Sequence, residues 1–354
     1  AGSGTHRRPG DLRSYGPEGS RLTALLRLDR LRASPAGSNY AMAVDQLLML
    51  LPDRRRLLEG SGLDLYRDFD ALLIATPEPR DDTVTFLAVR HHMKDAALQA
   101  ALDRSAAAVR HTIDWRLEDG RPVGVRRLAS TASDKGTAGP DDRIFVLPQP
   151  FLAVIAPPAY AGLLLGKGRT SSDHGDAGSP DVGESTRTEK KISRVDWHDL
   201  VARIDAEDSA LPEDAVFMIT VTNLLVFSDV SPVVPGTRGV VDDDGHTQGV
   251  APPNPQVITL VAGVEPAPYL ELTVEFARET EARAWERGFP AWKRTLLSHP
   301  VLLFAGFAPL LDRIEPSREG TRVYLHVDTT AQEMQRLLAL TTNLARAAMG
   351  RPRP

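Results

Sequence analysis

Thr83–Asp103 reads TVTFLAVRHHMKDAALQAALD, and Tyr269–Phe289 reads YLELTVEFARETEARAWERGF. Each opens on a run of apolar and β-branched residues, turns through a short polar stretch, and enters a helix-forming segment at an acidic residue, Asp95 or Glu279. Ahead of the first lies Phe69–Thr76 (FDALLIAT), across a Pro-Glu-Pro-Arg-Asp-Asp turn; ahead of the second lies Val257–Val264 (VITLVAGV). Both stretches therefore read as a β-hairpin followed by a helix.

Working outward, Leu22–Asp29 (LTALLRLD) and Ala215–Leu224 (AVFMITVTNL) supply one more strand ahead of each hairpin. Behind the first helix, Pro122–Leu128, Arg143–Leu147 and Phe151–Ala156 read as strands, and Pro157–Leu165 as a short helix with proline at its start. Behind the second, Arg313–Ser317 and Arg322–Val327 read as strands and Thr330–Ala348 as a helix. Two further helices are expected at Ser38–Leu51 and Asp53–Glu59. Each half repeats the order strand, connection, hairpin, helix, hairpin, helix. Hairpins imply antiparallel pairing, so the expected fold is α+β: two repeated units of antiparallel sheet with helices packed on one face.

Two stretches dense in Gly, Pro, Ser, Thr and Asp, Gly166–Lys191 and Ser228–Gln256, contain too few large apolar side chains to offset the entropy of ordering. The expected organisation is a flexible N-terminal tether over 1–20, a first α+β repeat over 21–165, a disordered linker over 166–195, a second repeat over 196–348 with a mobile insertion at 228–256, and a tail over 349–354. The tether is small, polar and rich in Arg and Gly, as expected of a chain released from a signal peptide or anchor.

Among 354 residues, 42% hydrophobic and 25% charged, there is no cysteine, which excludes thiolate chemistry and disulfide scaffolds. Residues 1–160 carry 22 Lys+Arg against 20 Asp+Glu, and 161–354 carry 20 against 27, so neither half has the basic excess that nucleic-acid binding requires. The longest apolar run, Val301–Leu311, is about half the ~20 residues that cross a bilayer.

The run Gly62–Asp70 (GLDLYRDFD) ahead of the first hairpin, the helix opening at Lys94-Asp95, and Arg143–Leu165 (RIFVLPQPFLAVIAPPAYAGLLL) together resemble a loosely defined family of bacterial, myxobacterial-type, signal-anchored envelope proteins with duplicated α+β halves. The resemblance spans residues 20–345 and rests on structural punctuation. It implies an extracytoplasmic location, in the periplasm or at the outer face of the inner membrane, with membrane contact only through a removed N-terminal anchor. It carries over no catalytic residue.

The search for chemistry is largely negative. Gly162-Leu-Leu-Leu-Gly166-Lys167-Gly168 is one residue short of a phosphate loop and has glycine where a magnesium-binding hydroxyl is needed. Asp242-Asp243-Asp244-Gly245-His246 places its glycine too early for a calcium loop. His91 and His92 are consecutive at a strand end, point apart, and are expected as solvated edge residues. Asp64, Asp68 and Asp70 alternate around apolar residues; Asp68 and Asp70 would pair as acid and base only if the strand began early, and are otherwise capping and turn residues. Trp285, Phe289, Trp292 and Leu296 fall on one helix face, with a kink or restart expected at Pro290. No residue is assigned as catalytic, cofactor-binding or metal-ligating, and no cofactor is expected. The expected function is a non-enzymatic binding or structural protein of the envelope that engages an envelope protein or an apolar ligand between its halves. The alternative is a hydrolase whose acidic residues meet only in the fold.

Overall fold

The computed structural model describes residues 12–14, 16–17, 19–35, 37, 40, 60–78, 81, 84–118, 120–128, 143–160, 212, 214–222, 240–241, 247–248, 253–264, 267–297, 308–337 and 339. In chain order the strands are β1 (Leu22–Arg27), β2 (Phe69–Thr76), β3 (Phe86–His91), β4 (His111–Glu118), β5 (Arg121–Leu128), β6 (Arg143–Gln149), β7 (Leu152–Ala156), β8 (Ala215–Thr222), β9 (Val240–Val241), β10 (Thr247–Gln248), β11 (Val257–Gly263), β12 (Tyr269–Glu275), β13 (Glu315–Glu319) and β14 (Arg322–Asp328). The helices are α1 (Leu28–Ala33), α2 (Leu65–Asp68), α3 (Asp95–Ala108), α4 (Glu279–Leu297) and α5 (Ala308–Arg313), with a further helical segment over 331–337.

The fold is α+β, with one difference from expectation. The two halves do not carry separate sheets. Twelve strands form one antiparallel sheet in the order β13-β14-β12-β11-β8-β1-β2-β3-β7-β6-β5-β4. The join is β1·β8, with Leu25 opposite Met218 and Thr23 opposite Thr220. Each of these strands has one edge taken by its own half, by β2 and by β11, and both are rich in buried side chains. A buried strand with an empty edge leaves backbone groups unsatisfied, and pairing the two edges removes that penalty on both sides.

Register shows how the faces run across the join. On one face Leu72, Leu26, Phe217, Ala262, Leu270 and Val327 lie side by side in successive strands. Both long helices pack here. Leu98 and Leu102 of α3 cluster with Leu72, Leu87, Val89 and Ile155, and Ala282 and Trp285 of α4 cluster with Val274 and Val323. On the opposite face the row is Leu73, Leu25, Met218, Val261, Glu271, His326. The first four belong to one buried cluster with Phe86, Val154 and Ala156, and the last two are a carboxylate and an imidazole. Along that row the side chains change from sealed core at Val261 to half-buried polar groups at Glu271 and His326.

Several local readings are corrected. β1 stops at Arg27, whose guanidinium binds Asp29 at 3.0 and 2.7 Å as the chain enters α1. β4 was not anticipated, although Ile113 and Trp115 alternate with exposed polar residues along it. Arg313 closes α5, so the following strand begins at Glu315. α4 runs through Pro290 instead of restarting there. Within the expected insertion, β9 and β10 pair with each other. Leu12, in the stretch expected as a tether, is buried in the cluster of Leu25 and Leu73. Of the expected helix at 38–51 only Tyr40, which is buried, is described; the helix at 53–59, the linker, the phosphate-loop lookalike, the acidic run at 242–246 and residues 301–307 of the longest apolar run lie outside the described residues. Among the described residues no helix is long and apolar enough to cross a membrane.

Candidate functional site

Two polar constellations stand out. The first lies where β3 ends and α3 begins. Asp64 caps α2, its carboxylate accepting the Arg67 amide at 2.8 Å. Asp68 accepts the Arg67 guanidinium at 2.8 and 3.0 Å and the Asp64 amide at 2.8 Å. These contacts hold the Asp68 carboxyl below its usual range, chiefly through Arg67. Asp70 on β2 accepts the Arg32 guanidinium, and His92 Nδ1 stands 3.6 Å from it. The aspartates are thus caps and ion-pair partners. Asp68 and Asp70 each hold their own arginine, which removes the basis for an acid–base pair.

His91 departs from the sequence reading. It is 1% exposed, not a solvated edge residue, and its ring meets the Phe151 ring edge-on at 6.4 Å. Opposite Phe69 in the β2·β3 ladder, it is enclosed while His92 is exposed. Burial pulls its pKa down, with the Asp95 carboxylate pulling the other way. Phe151 sits in the β6–β7 turn at φ 68° and is half exposed.

The second constellation lies on the opposite face of β12 and β14, where apolar core gives way to half-buried polar side chains. The Tyr269 ring lies over Gly263, its partner in β11, where an added Cβ would fall 2.0 Å from a ring carbon, so only glycine admits it. The ring stacks on His326 at 5.6 Å and 28°. Its hydroxyl donates to Asp214 at 3.2 Å, and burial, reinforced by Asp214 and Glu271, raises the phenol far above its ordinary range. Arg30 steadies the neighbouring turn by donating to the carbonyls of Pro212 and Ala215 at 2.7 and 3.0 Å. His326 Nε2 lies 3.2 Å from Asp328. Thr273, Tyr324 and the Arg322–Glu275 ion pair at 3.1 Å continue the patch outward.

This arrangement is poor machinery for catalysis. Tyr269 keeps its proton and spends it on Asp214, so it cannot act as a base near neutral pH. The arrangement groups a buried tyrosine with half-buried carboxylates and one imidazole on a rigid sheet. Among the described residues no three His, Cys, Asp or Glu side chains form a group able to hold a metal. Sequence reasoning missed the patch, because its members come from the residue ahead of β8, from β12 and from β14. The available signal was the alternation of Tyr324 and His326 with Val323, Leu325 and Val327.

The aromatic stripe of α4 faces the sheet. Trp285 contacts Phe276, Phe289 and Trp292 with ring centroids at 6.1, 5.4 and 5.2 Å, and Phe289 is buried. The stripe closes the core of this end of the molecule.

No protein-family model and no curated protein matches the chain. Among solved structures, that of TP0453 in crystal form I is similar at a TM-score of 0.44 and 7% identity, covering 96% of this chain and 99% of that one.

Proposed function

We propose that this protein is a non-enzymatic binding or structural component of the bacterial envelope, extracytoplasmic, with its recognition surface on the polar face of β12 and β14. The observation that carries the reading is the transition along one face of the sheet, from Val261 in the core to the half-buried Glu271 and His326. A sheet that needs only one covered face for stability presents the other to a partner. The ion-paired state of Asp68 and Asp70 favours binding over hydrolysis.

The two halves are, in this reading, copies of one ancestral unit. In its support, β2, β3, β7 and β6 follow outward from β1 as β11, β12, β14 and β13 follow outward from β8, and α3 and α4 follow corresponding hairpins on one face. The β4–β5 hairpin is then an addition to the first copy.

A photo-crosslinking residue placed at Tyr324, and as a control at Arg283 on the outer side of α4, tests the function in the native cell. The reading expects the tagged chain in the extracytoplasmic fraction and a specific adduct from position 324 only. A cytoplasmic chain, or equal adducts from both positions, overturns it.

A further inference from the structure

An open sheet has two edges, and here they are built differently. β13 is five residues long, contains Pro316, and has Arg318 tied to Glu286 and Glu279 of α4 at 2.9 Å each. Shortness, proline and anchored charge are the usual guards against edge pairing. β4 is guarded less: its ion pair, Arg116 with Glu118 at 2.6 Å, stays within the strand. It is eight residues long (HTIDWRLE), contains no proline, and among the described residues no strand lies on its outer side. Near its end Leu117 is 74% exposed.

The side chains of β4 specify what fits that edge. Pairing with β5 places Ile113, Trp115 and Leu117 on the helix face, and Thr112, Asp114, Arg116 and Glu118 on the opposite face beside Val123 and Val125. Antiparallel pairing with a second β4 keeps like faces together only when residue numbers in each opposed pair sum to an even value. Centring on Asp114 would oppose two carboxylates, and centring on Arg116 two guanidiniums. Centring on Trp115 sets Asp114 against Arg116 twice, Ile113 against Leu117 twice, and Trp115 against itself. Opposite charges meet on one face and apolar side chains on the other, with Leu117 covered by Ile113 of the second copy.

The Trp115 ring is already fixed: it lies over Gly124, where an added Cβ would be 2.8 Å from ring carbons, and its Nε1 donates to Asp103 of α3 at 2.8 Å. α3 connects the end of β3 to the start of β4, so it crosses the sheet obliquely. In a two-fold pair the C-termini of the two α3 helices fall at opposite corners of the joint.

We propose that the chain forms a two-fold dimer through antiparallel β4·β4 pairing centred on Trp115, extending the sheet continuously from one copy into the next. The inference rests on the edge alone and is independent of the proposed function. Its test exploits the charge register. Asp114→Arg leaves guanidinium facing guanidinium in a homodimer, and Arg116→Asp leaves carboxylate facing carboxylate. A mixture of the two variants restores both opposite-charge pairs. By sedimentation equilibrium the wild type should associate to twice its 38.5 kDa mass. Each variant alone should dissociate with a Kd raised roughly tenfold or more, and the equimolar mixture should recover the dimer. Recovery also shows that the variants are folded. A wild type that stays monomeric, variants that dimerise as well as the wild type, or a mixture that stays monomeric overturns the proposal.

Discussion

The two wings of the sheet share the strand order outward from the join as far as β6 and β13 and differ in what their second face meets. In the N-terminal wing, β7 is buried at all five positions and β6 at its first five, so both faces are core. In the C-terminal wing, β14 buries alternate residues, Val323, Leu325 and Val327, against α4 and the end of the sheet, and leaves Tyr324 and His326 half-buried on its other face. One hydrogen-bonded framework thus carries two kinds of strand, and the distinction is written in composition. LAVIA is continuous apolar sequence, whereas RVYLHVD alternates. The N-terminal wing is core on both faces, whereas the C-terminal wing is sealed on one face and half-buried on the other.

The largest expected effect contrasts the two second faces directly. Val154 is 0% exposed, and Val154→Asp should cost more than about 4 kcal/mol and abolish cooperative folding, because an uncompensated carboxylate would enter a sealed core. Tyr324→Asp on the corresponding face of β14 should change stability by no more than about 1 kcal/mol. Urea denaturation of the two variants measures the difference, and similar losses would break the comparison. Next in size, Trp285→Ala should cost about 3 kcal/mol, since the ring ties Phe276, Phe289 and Trp292 into the one covered face of the C-terminal wing. A melting temperature equal to the wild type would mean that α4 is not what holds that wing.

Gly263→Ala should cost about 1–3 kcal/mol, because the methyl group would displace the Tyr269 ring from its place over β11. Absorbance titration of the phenol provides a second readout: released from burial and from Asp214, it should ionise at lower pH than in the wild type. The smallest effect is pH dependence in the N-terminal wing. His91 has a folded pKa below its ordinary 6.5, so the unfolded chain takes up its proton first. The stability this burial preserves is fully present above about pH 6.5 and declines as pH falls through that value. His91→Phe should flatten the stability profile between about pH 7 and 5. An unchanged slope would show that some other group dominates there.

Both hairpins and both long helices were legible in the sequence, down to the helix starts at Asp95 and Glu279 and the strand Phe69–Thr76. Those features rest on local periodicity and on turn residues. β4 was obscured because it follows α3 closely and its polar residues suggest a loop. The union of the halves was illegible for a different reason: pairing Leu22–Arg27 with Ala215–Thr222 depends on which edges remain open once each half has folded, and no local window holds that information. The polar patch was hidden likewise, since Asp214, Tyr269 and His326 come from separate segments. His91 was misplaced because the strand-end rule ignores the β6–β7 turn that brings Phe151 over it.

Native-state hydrogen exchange tests the central claim, that the wings form one sheet joined at β1·β8. Strands in the middle of a continuous sheet open only with global unfolding, whereas edge strands exchange through local fraying. The amides of Leu22–Arg27 and Ala215–Thr222 should therefore be among the most slowly exchanging, with protection equal to the global stability, while those of β13 exchange far faster. If β1 and β8 exchange as fast as β13, the wings are separate sheets and the account of a single two-faced framework is wrong.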